Sequence, residues 1–203
     1  MADRKATIER KSKETQIKVT INVDGTGKTK IKTPIGLLDH MLELFAFHGH
    51  FDLDLKVVKA DTNIDIHHTN EDIGIVLGKA FKKALDEKAG IRRFGWAYAP
   101  MESTVSRFVI DLSGRGYFRL MADKKASATK PQDGYAMSDL EHFLESFAHN
   151  LGATINVHCF NLSDDLHTNL ETIFKSFGLA LDQATQIDPR RKGTVPSTKG
   201  IID

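Results

Sequence analysis

The chain carries one pattern twice, so any fold for it must be built from two similar halves. Leu38-Asp39-His40-Met41-Leu42-Glu43-Leu44-Phe45-Ala46 matches Leu140-Glu141-His142-Phe143-Leu144-Glu145-Ser146-Phe147-Ala148 with the histidine in register. An alternating run follows each: Phe51 to Val57 in the first half and Thr154 to Cys159 in the second. Strict alternation predicts a strand with one wet face. Next come His67-His68-Thr69-Asn70-Glu71 and His167-Thr168-Asn169-Leu170-Glu171, each opening an apolar run with helical spacing. Ile73, Val76, Leu77, Ala80, Phe81 and Leu85 form that stripe in the first copy, and Ile173, Phe174, Phe177, Leu181 and Ala184 in the second. Upstream, Thr15 to Val23 alternates, meets Asp24-Gly25 and resumes through Lys28 to Lys32. Thr104 to Leu112 likewise meets Ser113-Gly114 and resumes through Tyr117 to Leu120. Each is a hairpin signal.

The expected architecture is α+β, with hairpin, helix, strand, helix, then the same again. One domain should hold two pseudo-repeats, about 5–95 and 96–187, with a tail from 188 to 203 that lacks periodicity. Ala122 to Gly134, polar and Lys-rich, is expected to be a mobile loop.

Composition narrows the function classes. The 203 residues are 40% hydrophobic, enough for a real core. Twenty-eight Lys and Arg against 27 Asp and Glu leave a formal charge of +1, with no general pull toward nucleic acid or acidic membranes. No apolar run approaches the roughly 20 residues of a membrane span, and Met1-Ala2-Asp3-Arg4-Lys5 lacks a secretory core. A lone cysteine, Cys159, excludes an internal disulfide and a Cys-rich metal site. A soluble, cytoplasmic protein is expected.

Nine histidines are the unusual feature. His67 and Glu71, four apart on a predicted helix, lie one above the other on one face, and His167 and Glu171 repeat that geometry. His68 is turned by roughly 100° from His67, so two such rings grip different ions more readily than one. His40 and His142, one helix and one strand earlier, are natural third ligands. Singly, each histidine reads as a helix-start or core group; recurrence turns the reading to metal. Imidazole with carboxylate suits Mn, Fe, Zn, Co or Ni. His48, two turns beyond His40, can look toward the same place; His158 is expected in solvent, and His50 and His149 at the surface.

Cationic and hydroxyl groups suggest a phosphorylated ligand. Arg92 and Arg93 stand between glycines, Arg115 follows Ser113-Gly114, Lys175 lies one turn beyond Glu171, and Pro196-Ser197-Thr198-Lys199-Gly200 is a small-residue loop. Arg forks, Lys ammoniums and Ser hydroxyls in loops are the parts of a phosphate pocket.

The series Asp-His-Met, His-His-Thr-x-Glu-Asp, Arg-Phe-Gly, Ser-Gly-Arg, Glu-x-x-Phe-Lys and Pro-Ser-Thr-Lys-Gly resembles the imidazoleglycerol-phosphate dehydratase family of histidine biosynthesis, in the family's order from Glu14-Thr15 to the C-terminus. The resemblance implies helices sandwiched between two mixed sheets, a 24-subunit shell, and a two-manganese (Mn2+) site shared between subunits. It implies as metal ligands His40, His67, His68, Glu71, His142, His167 and Glu171. It implies as substrate contacts Glu14, His48, Arg93, Arg115, Lys175, Ser197 and Lys199, the last five mainly around the phosphate, with Glu14 assigned to proton transfer. The implied reaction is a lyase step, dehydration of imidazole glycerol phosphate to imidazole acetol phosphate through a metal-held imidazolate.

Departures from the family pattern gather in the second half. Thr168 follows His167 where a second His-His pair is usual, and Ser163 and Asp165 replace Gly and Asn. Met-Asp-Glu reads Met101-Glu102-Ser103, making Ser103 the counterpart of Glu14. In the first half, Thr-Gly-Ile-Gly-Phe reads Thr33-Pro34-Ile35-Gly36-Leu37. One metal position should therefore lack a donor, to be completed by water, Asp164 or Asp165. Two rival readings are a non-catalytic or weakened relative that binds metal and a phosphorylated ligand, and a metal-dependent hydrolase of a small phosphate ester.

Overall fold

A computed structural model describes residues 4–123 and 129–202. The first half runs β1 (Lys5–Lys11), β2 (Gln16–Asn22), β3 (Thr29–Lys32), α1 (Gly36–His48), β4 (Asp52–Lys59) and α2 (His67–Leu85). The second runs β5 (Phe94–Met101), β6 (Thr104–Asp111), β7 (Tyr117–Ala122), α3 (Met137–Leu151), β8 (Thr154–Phe160) and α4 (Leu166–Thr185), followed by a 3-10 turn at Pro189–Arg191. Two four-stranded sheets result, ordered β1-β2-β4-β3 and β5-β6-β8-β7. Both are mixed: β3 and β7 join β4 and β8 in parallel, and the other pairs are antiparallel.

Alternation sets which face of each sheet is dry. Ile17, Val19 and Ile21 of β2, and Ile155, Val157 and Cys159 of β8, are fully buried while their neighbours along the strand are not. The helices fill the space between the dry faces. α2 lies against α3 and α1 against α4, so each helix pair spans the two halves. Each helix contributes one phenylalanine to the centre. Phe45 and Phe177 stand 4.3 Å apart, Phe147 and Phe177 5.0 Å, and Phe81 meets both Phe45 and Phe147 edge-on at 6.0 Å. Close helix approach needs glycine at matching positions of the two halves. A Cβ on Gly78 would stand 2.6 Å from the Phe147 carbonyl, and one on Gly178 2.4 Å from that of Phe45.

The expected hairpins must be corrected. The hairpin of each half is β1–β2 and β5–β6, and the strand after Asp24-Gly25 does not return along β2. β4 inserts between β2 and β3, and α1 is the crossover that lets β3 and β4 run parallel. Alternation locates a strand but does not name its neighbour, and Asp24-Gly25 turns the chain without closing a ladder. The edge strands β1 and β5 are absent from the expected order: Lys and Glu side chains leave β1 few apolar positions, and β5 turns its large side chains outward and buries only Gly95 and Ala99. The loop expected over Ala122–Gly134 lies partly outside the described residues. Within its described part Gln132 and Tyr135 exchange two backbone hydrogen bonds of 2.9 Å.

Candidate metal and phosphate sites

Because α1 packs on α4, His40 of the first half reaches the His-x-x-x-Glu turn of the second. Its Nε2 lies 3.4 Å from Glu171 Oε1, which His167 Nε2 approaches to 3.0 Å. One donor atom from each of His40, His167 and Glu171 falls within 4.8 Å of the others. Lys175, one turn on, pairs with the other Glu171 oxygen. Burial raises the Glu171 pKa, but the bonds from Lys175, His167 and His40 outweigh it and hold the carboxyl below its usual range. His48, at the end of α1, has its pKa lowered by burial and then by the Lys175 charge, so the ring is neutral at physiological pH.

The reciprocal contact joins α3 to α2. His142 meets His67 edge-on, ring centroids 4.5 Å apart, and His67 Nε2 lies 3.7 Å from Glu71 Oε2. Among the described residues Nδ1 of His142 is buried without a hydrogen-bond partner. This cluster is looser than the first and carries no lysine, since Ile75 occupies the place of Lys175.

His68 points elsewhere. Its Nδ1 lies 2.8 Å from Asp61 Oδ2, and that bond raises the His68 pKa. Donor atoms of Glu14, Asp61 and His68 lie within 4.8 Å of one another. Glu14 sits in the turn between β1 and β2, and Ser103 in the corresponding turn between β5 and β6. At Thr168, where an imidazole would match His68, both the backbone N–H (3.0 Å) and the hydroxyl (2.7 Å) donate to Asp165 Oδ2. Asp165 is therefore the N-cap of α4, which ties one of its oxygens to Thr168 instead of leaving both for a metal shell.

A separate cavity of about 160 Å³ is lined by Arg93, Ser113, Arg115, Ser197, Thr198 and Lys199, with Ile201 and Ile202. Arg93 is fixed by a two-pronged bond to Asp111 (2.6 and 3.0 Å) and donates to the Pro196 carbonyl (3.0 Å), joining the tail to the strand end. The Lys199 backbone N–H donates to Ser197 Oγ at 3.2 Å. Cationic side chains, hydroxyls and a small volume suit a phosphate.

Four of the expected phosphate contacts, Arg93, Arg115, Ser197 and Lys199, thus share one cavity, while Lys175 stands at the histidine cluster and Glu14 beside His68. Two residues that position the site were missed. Asp111 is found only through the register that sets it opposite Phe94, and Asp61 lies in an irregular segment with no period to read.

A family model described as imidazoleglycerol-phosphate dehydratase matches residues 33–181. The imidazoleglycerol-phosphate dehydratase of Geobacter metallireducens is 48% identical over 200 residues, covering 98% of this chain and 99% of that protein. The one from Pseudomonas fluorescens is 44% identical over the full length of both. Among solved structures, the Staphylococcus aureus enzyme superposes with a TM-score of 0.76 at 30% identity, over 91% of this chain and 99% of that one. The Pyrococcus furiosus protein gives 0.77 at 34%, over 96% and 99%. With its duplicated sheets, crossed histidine clusters and phosphate-sized cavity, the chain belongs to the imidazoleglycerol-phosphate dehydratase family.

Proposed function

We propose that this chain, a lyase of histidine biosynthesis, dehydrates imidazole glycerol phosphate to imidazole acetol phosphate with two divalent metal ions, manganese being the expected one. The observation that carries the metal assignment is the reciprocal crossing of His40 to His167 and Glu171 and of His142 to His67. The donor set fits such ions: imidazole nitrogens and carboxylates without thiolate, and a buried His142 nitrogen with no hydrogen-bond partner among the described residues. His40, His167 and Glu171 would hold one ion, and His67, Glu71 and His142 another, while His68, which points away from both clusters, would be a donor where copies meet. Bound there, the ions would supply Lewis acidity toward the ring nitrogens of the substrate and orient the ring.

The remaining work falls to the chain's own groups. Arg93, Arg115, Ser197 and Lys199 hold the phosphate and set the glycerol carbons in place. Neutral His48 can hydrogen-bond the substrate without adding charge. Lys175 keeps Glu171 ionised. Glu14 takes the proton from the carbon next to the one that loses its hydroxyl, and the resulting enol becomes the ketone by protonation at the former hydroxyl carbon, so that water is the only group lost.

Sharing of the site between subunits, and assembly into a 24-subunit shell, belong to the same reading. Glu14 and His68 lie apart from the phosphate cavity, and the outer face of β5 exposes Phe94, Trp96 and Tyr98, large apolar side chains suited to cover by another copy. The division into two pseudo-repeats and a tail from 188 is part of the proposal, since the tail brings Ser197 and Lys199 to Arg93. A cytoplasmic location is proposed as well; among the described residues no helix is long and apolar enough to cross a membrane. The rival binder and hydrolase readings draw no support from the family match. Stepwise Mn2+ titration of the purified protein, with substrate conversion followed at each step, tests the proposal. Metal-dependent ketone formation supports it, and release of inorganic phosphate or a metal-independent reaction would overturn it.

A further inference from the structure

Adjacent in sequence, His67 and His68 have different company. His67 turns to His142, whereas the His68 ring places Nδ1 2.8 Å from Asp61 Oδ2. An ionised carboxylate can only accept, so Nδ1 carries the hydrogen, and in the neutral ring the lone pair is left on Nε2. Asp61 is itself held. Its side chain is 16% exposed, and Oδ1 accepts from Thr69 Oγ1 at 3.4 Å. Asp65 accepts from the His67 backbone N–H at 2.8 Å, which fastens the same segment to the first turn of α2. Among the described residues the second half has no such arrangement, because Thr168 offers no ring to orient and Asp165 serves the helix end.

We propose that Asp61 is a positioning residue, fixing His68 as the Nδ1–H tautomer and aiming Nε2 at a divalent cation without entering the coordination shell itself. The inference rests on the metal-dependent reading above. A carboxylate behind a ligating imidazole also strengthens that ligand, and its loss typically weakens metal binding by about 10–100-fold.

The test uses full-length protein stripped of metal and titrated with Mn2+ by electron paramagnetic resonance, together with a crystal structure of the Mn2+-loaded wild type. Asp61→Ala is expected to weaken one class of Mn2+ binding by about 10–100-fold, and Asp61→Asn, which keeps an acceptor but not the charge, by less. The crystal should show His68 Nε2 on the ion and Nδ1 still on Asp61. Ligation through Nδ1, an Asp61 oxygen on the ion, or wild-type affinity in Asp61→Ala would overturn the proposal. His68→Gln separates the two levels of failure. Unchanged affinity in that variant removes His68 from the ligand set and takes the role of Asp61 with it, whereas weakened binding in His68→Gln beside normal binding in Asp61→Ala overturns the positioning role alone.

Discussion

His40 stacks on His167 with ring centroids 5.2 Å apart and 26° between the planes, although the first belongs to α1 and the second to α4. The contact exists because each helix pair is made across the two halves, so neither repeat can build a complete cluster alone. Glu171 stands between the two rings and Lys175, which makes its carboxylate the common partner of three groups.

Replacing that carboxylate should therefore remove more than one contact. Glu171→Gln is expected to lower Mn2+ content by about one ion per chain and to cut turnover by about 100-fold or more. Metal analysis by mass spectrometry and a turnover assay on the same sample check both. Full metal content with normal turnover would exclude Glu171 from the ligands.

Thr168→His adds the imidazole that the second half lacks. Asp165 can still cap α4 through the backbone N–H of residue 168, so the helix start should survive with only the hydroxyl bond lost, at a cost of about 1 kcal/mol. Tighter Mn2+ binding or faster turnover is the expected result. No change in either would mean that the shell at this helix is already complete by another route.

Gly178→Ala tests the close approach that brings His40 to Glu171. The new Cβ would meet the Phe45 carbonyl at 2.4 Å, and forcing α1 from α4 should cost about 1–3 kcal/mol. A lower melting temperature and weaker metal binding are expected together. Gly36→Ala is the control, since nothing lies within 4 Å of a Cβ there, and it should leave both unchanged or slightly improved.

The tail has its own pH dependence. Asp188 caps the 3-10 turn by accepting from the Arg190 N–H at 3.0 Å, and the Arg190 side chain pulls its pKa down to about 2. A carboxyl lowered on folding contributes stability that is fully present above its unfolded value of 3.8 and is lost as pH falls through about 2. The melting-temperature gap between wild type and Asp188→Asn should hold steady above pH 4 and shrink toward pH 2. A gap that closes between pH 5 and 7 would assign it to another group.

Repeat, strand and helix were legible in the residues because each is a local pattern: the alternation of β2 and β8, the apolar stripes of α2 and α4, and the His-x-x-x-Glu spacing that needs only one turn of helix. The family resemblance grouped Arg93, Arg115, Ser197 and Lys199, and the four line one cavity. Strand partners, the crossing of His40 to the other half, and the contacts of Asp61 with His68 and of Asp111 with Arg93 were decided by tertiary structure alone. Each depends on which distant surfaces bury one another, and burial energy is shared by the whole core, so no short stretch of sequence states it.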